Sequence, residues 1–125
     1  MKRTIYSENG PPAQGPYSHA VACGDLVFVS GQGPVDPQAR EVVHGDLETE
    51  ATLTLRNLET VLNDCGSSLD KVLKITVFLS DMDDFSQFND IYKRFFKTDY
   101  PARTCVQAGR LPLDIKVEID AIATL

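Results

Sequence analysis

The segment Val72-Leu-Lys-Ile-Thr-Val-Phe-Leu79 decides the fold, because it has the alternation of a β-strand and lies between two segments with the pattern of helices. Alternation places its residues on two faces: Leu73, Ile75, Val77 and Leu79 on one, and Val72, Lys74, Thr76 and Phe78 on the other. A strand that lies between two helices in sequence is usually central in its sheet. We therefore predict a sheet that has this strand inside it and helices packed against it.

An amphipathic helix is predicted on each side of this strand. The first follows the N-cap residue Asp46 and ends at Gly66 after about five turns. Its apolar stripe consists of Leu47, Ala51, Leu55, Leu58, Leu62 and Cys65. The second helix begins at Asp83 or Asp84 and ends before Tyr100-Pro101. Its buried stripe consists of Phe85, Phe88, Ile91, Tyr92, Phe95 and Phe96.

The remaining strands are predicted near the two ends of the chain. Ala20–Cys23 and Leu26–Ser30 flank the turn Gly24-Asp25, which favours an antiparallel hairpin. Arg103–Ala108 and Ile115–Thr124 predict two more strands, the second with strict alternation. The element order is β-hairpin, α, β, α, β, β, which predicts an α/β (α+β) fold with a five- or six-stranded sheet.

The composition is that of one ordinary globular domain over residues 1–125, with 42% hydrophobic and 24% charged residues. The net charge of -6 argues against a nucleic acid as the main partner, because such binding depends on neutralising phosphates. The three cysteines form no CxxC pair, which predicts free thiols and a reducing compartment. No signal peptide or long apolar stretch is present, so we expect a cytoplasmic protein without a membrane partner.

Two helices on one face would leave the other face of the sheet without a cover. Val72, Phe78, Cys105, and Val27 or its neighbours are expected to make that face partly apolar. An uncovered face of this kind usually finds a partner, so we predict a homo-oligomer with clefts between its subunits.

Several common motifs are absent. Gly31-Gln32-Gly33 lacks the third glycine of a dinucleotide fingerprint, since position 36 is Asp36. The aspartates at 81, 83 and 84 lack the glycine and the closing glutamate of a calcium loop. His19 and His44 have no ligand spacing between them, so no metal is expected.

What remains is a set of polar groups and glycines at the ends of strands and in loops: Tyr17, Ser30, Gly31, Asn89, Arg103, Cys105 and Glu118. Each has an ordinary structural interpretation when taken singly. Arg103 could be a surface cation, Cys105 a small buried residue and Glu118 a solvated strand residue.

As a set, however, these residues match a family. The matching segments are Gly15-Pro16-Tyr17-Ser18-His19-Ala20-Val21, Val29-Ser30-Gly31-Gln32, Val77-Phe78-Leu79-Ser80-Asp81-Met82, Phe88-Asn89-Asp90-Ile91-Tyr92, Pro101-Ala102-Arg103-Thr104-Cys105-Val106, Leu111-Pro112 and Val117-Glu118-Ile119-Asp120-Ala121-Ile122-Ala123. In order and over nearly the whole chain, they resemble the RidA (YjgF-type) reactive-intermediate deaminases. Arg103 marks the imine-hydrolysing branch of that family.

The resemblance implies a chorismate-mutase-like fold, with a six-stranded mixed sheet and two helices on one face. It also implies a homotrimer with active sites between subunits. The family's activity is the hydrolysis of 2-imino acids such as 2-iminobutanoate and 2-iminopropanoate, or their 2-enamine tautomers, to 2-keto acids and ammonia. No cofactor is implied.

By matched position, Arg103 would bind the substrate carboxylate through two parallel N–H donors, and Glu118 would hold and polarise the attacking water. The backbone at Cys105 and Gly31 would fix the carboxylate and the nitrogen end of the substrate. The pocket would be lined by Tyr17, Ser30 and Asn89.

Other functions stay open within the same family. They are 2-aminomuconate deamination, a ribonuclease activity, and a non-enzymatic role in binding keto acids for regulation. The chain also departs from the common family pattern at two positions. His19 stands where glutamine is frequent, and Gly33 stands where an aliphatic residue is usual, which we expect to enlarge or loosen the loop beside the site.

Overall fold

The computed structural model describes residues 1–125, and its main feature is a six-stranded sheet. The strands and helices are β1 (Arg3–Ile5), β2 (Ala20–Cys23), β3 (Leu26–Gln32), β4 (Val35–Asp36), β5 (Glu41–Val42), α1 (Leu47–Asp64), β6 (Val72–Leu79), α2 (Phe85–Tyr92), β7 (Ala102–Gln107) and β8 (Val117–Thr124). The strand order is β1-β2-β3-β8-β6-β7, with β6 and β7 parallel and all other neighbours antiparallel. The sheet is therefore mixed, and the predicted position of β6 inside it is confirmed.

Both helices pack on one face of this sheet and share one core of 22 buried residues. From the sheet the core includes alternate residues of two neighbouring strands: Ile75, Val77, Leu79, Val117, Ile119, Ala121 and Ala123. From the helices it includes most of the predicted stripes. Because each fully buried large apolar side chain contributes about 1.5–3 kcal/mol, this interface stabilises the whole fold. The predicted α+β class with two helices on one face is confirmed.

Helix α1 begins and ends as its sequence predicts. The N–H of Thr49 donates to Oδ1 of Asp46 at 2.9 Å, which satisfies a free donor of the first turn. At the other end, Gly66 has φ +83, and the N–H of Ser67 donates to the carbonyl of Leu62 at 2.9 Å. This is the Schellman arrangement, which needs a residue that tolerates the left-handed region.

Helix α2 is shorter than predicted. A tight 3-10 turn, Met82–Asp84, precedes it, and the carboxylate of Asp81 accepts from the N–H of Asp83 at 2.9 Å. The predicted cap residues Asp83 and Asp84 both lie in this turn, which Asp81 caps. Asp84 is the N-cap residue of α2, as predicted, but its side chain accepts no hydrogen bond from the helix. After Tyr92 the chain continues in turns as far as Phe95, and buried Phe96 follows them. Phe96 nevertheless stacks on Tyr92, with ring centroids 4.6 Å apart, so the stripe stays in the core beyond the helix.

The predicted face of Leu73 is wrong. The register between β6 and β8 shifts between Val72 and Lys74, which is a β-bulge. As a result Val72 is buried on the helix side, and Leu73 points outward with 48% of its surface exposed. From Ile75 to Leu79 the predicted alternation is confirmed.

Short strands were not predicted. β1 pairs with β2, and β4 and β5 form a small hairpin between β3 and α1, where no strand was predicted. These strands are two or three residues long, too short to show an alternation in sequence. The predicted strand ends also move: β3 extends to Gln32 through an irregularity, and β8 begins at Val117 instead of Ile115.

The face of the sheet opposite the helices has no cover within the chain and is partly apolar. Phe28 and Val106 are 43% and 40% exposed there, beside half-buried Phe78 and Ile122. Two of the predicted contributors lie there: Phe78, and Phe28 as a neighbour of Val27. Val27 itself, Val72 and Cys105 pack on the helix side instead. The bulge places Val72 there, and Cys105 pairs with core residue Val77.

Candidate active site

Glu118 lies against the backbone of Gly31. A Cβ built on Gly31 would lie 2.3 Å from Oε2 of Glu118, so only glycine permits this approach. The two residues are on neighbouring strands, β8 and β3, where the register shifts between Val29 and Gln32. The Glu118 side chain therefore packs closely against the irregular stretch of β3.

This carboxylate lies in an open cleft of about 540 Å³. Of the predicted site residues, the cleft is lined by Tyr17, Ser30, Gly31 and Glu118. Its walls include residues 11–14 and Pro112, Leu113 and Ile115. The hydroxyl of Ser30 donates to the carbonyl of Ser18 at 2.6 Å, which ties β3 to the loop that carries Tyr17.

Buried His19 anchors one wall of the cleft. Its Nδ1 accepts from the N–H of Ser7 at 3.1 Å, so the neutral ring carries its proton on Nε2 and donates to the carbonyl of Pro11 at 2.7 Å. The ring thus connects the N-terminal segment to the cleft loop. Sequence reasoning singled out His19 as a departure from the family pattern but missed this anchoring role.

The environment of Glu118 suits proton transfer. Burial raises the pKa of Glu118, and the charge of Asp120 on the same strand raises it further. A carboxylate with a raised pKa is a stronger base than an exposed one, and it returns a proton more readily near neutral pH. No group of three or more His, Cys, Asp or Glu side chains is arranged to hold a metal ion.

Arg103 is held by an aromatic cradle and one amide. Its Nη2 donates to Oδ1 of Asn89 at 2.8 Å, and its Cζ lies 4.8 Å from the ring centroid of Tyr92. The rings of Phe85 and Phe88 lie at 5.6 and 5.9 Å from the same atom. These cation–π contacts and the amide, all from α2, hold the guanidinium of Arg103 between α2 and the edge strand β7. Asn89 therefore orients Arg103, a contact that the sequence did not predict.

Cys105 lies two residues along β7, on the same side of the sheet. Burial raises the pKa of its thiol, an effect that nearby Arg103 opposes in part. A thiol of raised pKa is a poor nucleophile at neutral pH. This agrees with the expectation that only the backbone at Cys105 takes part.

The two groups of residues do not meet within one chain. Glu118 pairs with Phe78, on the uncovered side of the sheet, whereas Arg103 pairs with Ile75, on the helix side. Strand β6 separates β8 from β7, so their backbones are roughly 10 Å apart. Arg103, Asn89 and Cys105 do not line the Glu118 cleft. Each chain therefore carries two separate halves of the predicted site.

The fold and the two half-sites define a class of protein: a small α+β domain with a carboxylate cleft on its sheet and a cradled arginine at its edge. The family model described as Endoribonuclease L-PSP matches residues 7–125. The chain belongs to this family, to which the RidA (YjgF-type) proteins also belong.

Relatives match over almost the full length of the chain. An Escherichia coli K12 protein named "Putative reactive intermediate deaminase TdcF" is 44% identical over 98% of this chain and 97% of its own. A RutC family protein of Pyrococcus horikoshii is 43% identical over 98% of both chains. The crystal structure of Escherichia coli TdcF with bound serine is similar with a TM-score of 0.92 and 42% identity, and covers 98% of both chains. No helix of the protein is both long and apolar enough to cross a membrane.

Proposed function

We propose that the protein is a hydrolytic deaminase that converts 2-imino acids or their 2-enamine tautomers, such as 2-iminobutanoate and 2-iminopropanoate, to 2-keto acids and ammonia. The observation that carries the proposal is the carboxylate of Glu118, which packs against Gly31 in a cleft and has a raised pKa. The name of the relative TdcF and the serine bound in its structure support a small substrate with a carboxylate.

Arg103 binds the substrate carboxylate. A planar guanidinium offers two parallel N–H donors, and charge-assisted bonds of this kind are about twice as strong as neutral ones. The bond to Asn89 uses one side of the guanidinium and the aromatic rings restrict its rotation. Less conformational freedom is therefore lost when the substrate binds.

Glu118 positions and deprotonates the attacking water. The water oxygen forms a bond to C2 of the protonated imine as the C=N π electrons move to nitrogen, and the water proton passes to the Glu118 carboxylate. Glu118 then returns this proton to the amino nitrogen. The C–N bond breaks, ammonia leaves with the bonding pair, and the remaining hydroxyl proton is released as C=O forms. An iminium is reactive in water already, so positioning and one base suffice without a cofactor.

The complete site forms between subunits of a homotrimer. Within one chain the two halves lie on opposite sides of the sheet, so a second copy must bring its Arg103 to the cleft of the first. The partly apolar open face, with Phe28 and Val106 exposed, is the surface that the copies cover.

The free thiols fit a reducing cytoplasm, and the net charge of -6 argues against RNA as substrate. The family description nevertheless makes RNA cleavage the second candidate function. Deamination of 2-aminomuconate is a third, on the same fold. RNA cleavage is tested with the variants below, and 2-aminomuconate deamination by comparing its turnover with that of the imine on one purified sample.

The first test measures hydrolysis of an imine generated in situ from threonine by a dehydratase. We expect Arg103→Ala and Glu118→Gln to lose most of the rate above spontaneous hydrolysis, and Arg103→Lys to be intermediate. Arg94→Ala, which removes an exposed arginine of α2's C-terminal turn, is the matched control. An Arg103→Ala protein as fast as the parent would refute the assignment. RNA cleavage that persists in Arg103→Ala would show that this activity does not use Arg103, and it would count against the proposed site.

The second test asks whether the halves come from different chains. Chains with Arg103→Ala and chains with Glu118→Gln, each expected to be inactive alone, are co-expressed in equal amounts. In a cyclic assembly with sites between chains, about one quarter of the sites would combine an intact Arg103 with an intact Glu118. Recovery of about that fraction of activity supports the shared site, and no recovery contradicts it.

A further inference from the structure

The floor of the cleft is a contact between Gly33 and Ile115. Both residues line the cleft, and a Cβ built on Gly33 would lie only 2.9 Å from Cδ1 of Ile115. The δ-methyl group of Ile115 therefore occupies the space that a side chain at position 33 would take. The expectation that Gly33 enlarges or loosens this loop is wrong, because Ile115 fills the space from the other side.

Buried polar side chains of α1 hold both sides of this floor. The amide of Asn57, 2% exposed, donates to the carbonyl of Gly33 at 2.9 Å and to that of Val35 at 2.7 Å. On the other side, Oε1 of buried Glu50 accepts from the N–H of Lys116 at 2.8 Å. Because neither backbone is free to shift, a change of one methyl group here must change the room inside the cleft.

Apolar residues lie next to both residues of this floor in the chain. Val35 follows Gly33 by two residues, Pro112 and Leu113 precede Ile115, and all three line the cleft. Glu118 and the Gly31 backbone form the end where the imine would react. With C2 beside Glu118, the side chain of a substrate can extend toward Gly33 and Ile115, and the apolar residues there favour an aliphatic side chain.

We propose that Ile115, lodged over Gly33, determines which substrates the cleft accepts: aliphatic 2-imino acids whose side chains are long enough to reach the floor. This inference rests on the proposed function and names its substrate class. A methyl side chain ends short of the floor, but an isobutyl side chain contacts it. Ile115 is a specificity-determining residue in this view and has no part in the chemical step.

The test compares 2-imino acids made in situ from alanine and from leucine by an amino-acid oxidase. In Gly33→Ala the new Cβ forces the Ile115 methyl group into the cleft. We expect the ratio of kcat/KM for the leucine-derived over the alanine-derived substrate to fall roughly tenfold, as for one misplaced methylene. The double variant Gly33→Ala/Ile115→Val lacks the colliding Cδ1 atom and should recover the parent ratio. Gly109→Ala is the control, because a Cβ there meets nothing within 4 Å.

Ile115→Ala is an independent test that leaves Gly33 unchanged. This substitution deepens the cleft, so the ratio of kcat/KM for the leucine-derived over the alanine-derived substrate should rise. Ratios that stay at the parent value in both single variants, while both substrates are hydrolysed, would overturn the inference and leave the proposed function standing. If the parent protein hydrolyses neither substrate, nor the threonine-derived imine, faster than water does, both proposals fail.

Discussion

Replacing Glu50 by alanine should destabilise the protein far more than the same change at Glu48, two residues earlier on α1. Glu50 is fully buried, and its carboxylate accepts from the N–H of Gly45 at 3.1 Å and from the N–H of Lys116 at 2.8 Å. It also pairs with Nζ of Lys116 at 3.2 Å. Glu48 is about as well bonded, to Arg94 and Thr52, but lies at the surface.

The magnitude follows from the groups left without partners. Alanine at 50 leaves two backbone N–H donors without acceptors, each at a cost of about 1–3 kcal/mol. Nζ of Lys116 is partly exposed and turns to water at little cost, so the ion pair itself contributes less than a fully buried one would. We expect a loss of about 4 kcal/mol in the free energy of unfolding. Glu50→Gln keeps one acceptor and should lose about half as much.

Urea unfolding followed by circular dichroism measures these losses, with all proteins at one concentration because the proposed assembly would contribute to stability. For a slope of about 2 kcal/mol per M, the midpoint of Glu50→Ala should fall by about 2 M. The midpoint of Glu48→Ala should stay close to the parent, since exposed ion pairs contribute little. Equal midpoints for the two alanine variants would refute the view that Glu50 anchors the cleft to α1.

Three further outcomes are expected. Asp120→Asn removes a charge that raises the pKa of Glu118, so the acid limb of the kcat/KM profile should move to lower pH; a limb that stays in place would remove Glu118 as the titrating base. Gly31→Ala places a Cβ on Oε2 of Glu118 and should lower kcat/KM about a hundredfold without unfolding the protein by circular dichroism; parent-like activity would contradict the close approach. Phe28→Glu puts a charge on the open sheet face and should dissociate the assembly in light scattering, whereas Leu53→Glu on α1 should not; equal masses for the two would rule this face out as the interface.

Features with a regular period could be predicted from the sequence. The first helix has its cap, its stripe and its Gly66 end within one uninterrupted pattern, and all three are confirmed. β8 alternates over its full length as predicted, because no bulge interrupts it. The resemblance that groups Glu118 with Arg103 also identified the family.

Features that depend on tertiary contacts could not be predicted. The bulge that turns Leu73 outward depends on the pairing of β6 with β8, and the alternation pattern of a single strand does not reveal that pairing. Glu50 and Asn57 lie on the buried side of α1, where a sequence pattern predicts apolar residues and gives no partner for a polar one. Lys116, which donates to Glu50, is 66 residues away in the chain, and Gly33, which accepts from Asn57, is 24 residues away. Only the folded structure therefore identifies Glu50 and Asn57 as anchors.

The two half-sites differ in what holds them but are alike in being formed before any assembly. Arg103 is fixed by the rings and the amide of α2, and Glu118 by the backbone of Gly31 on the adjoining strand. In the proposed assembly, only the relative position of these two groups would remain to be set, which keeps the entropic cost of forming the site low. It follows that dilution to concentrations below the dissociation constant of the assembly should abolish imine hydrolysis while leaving the circular dichroism of each chain native. Activity that persists in the dissociated chains would contradict a site shared between copies.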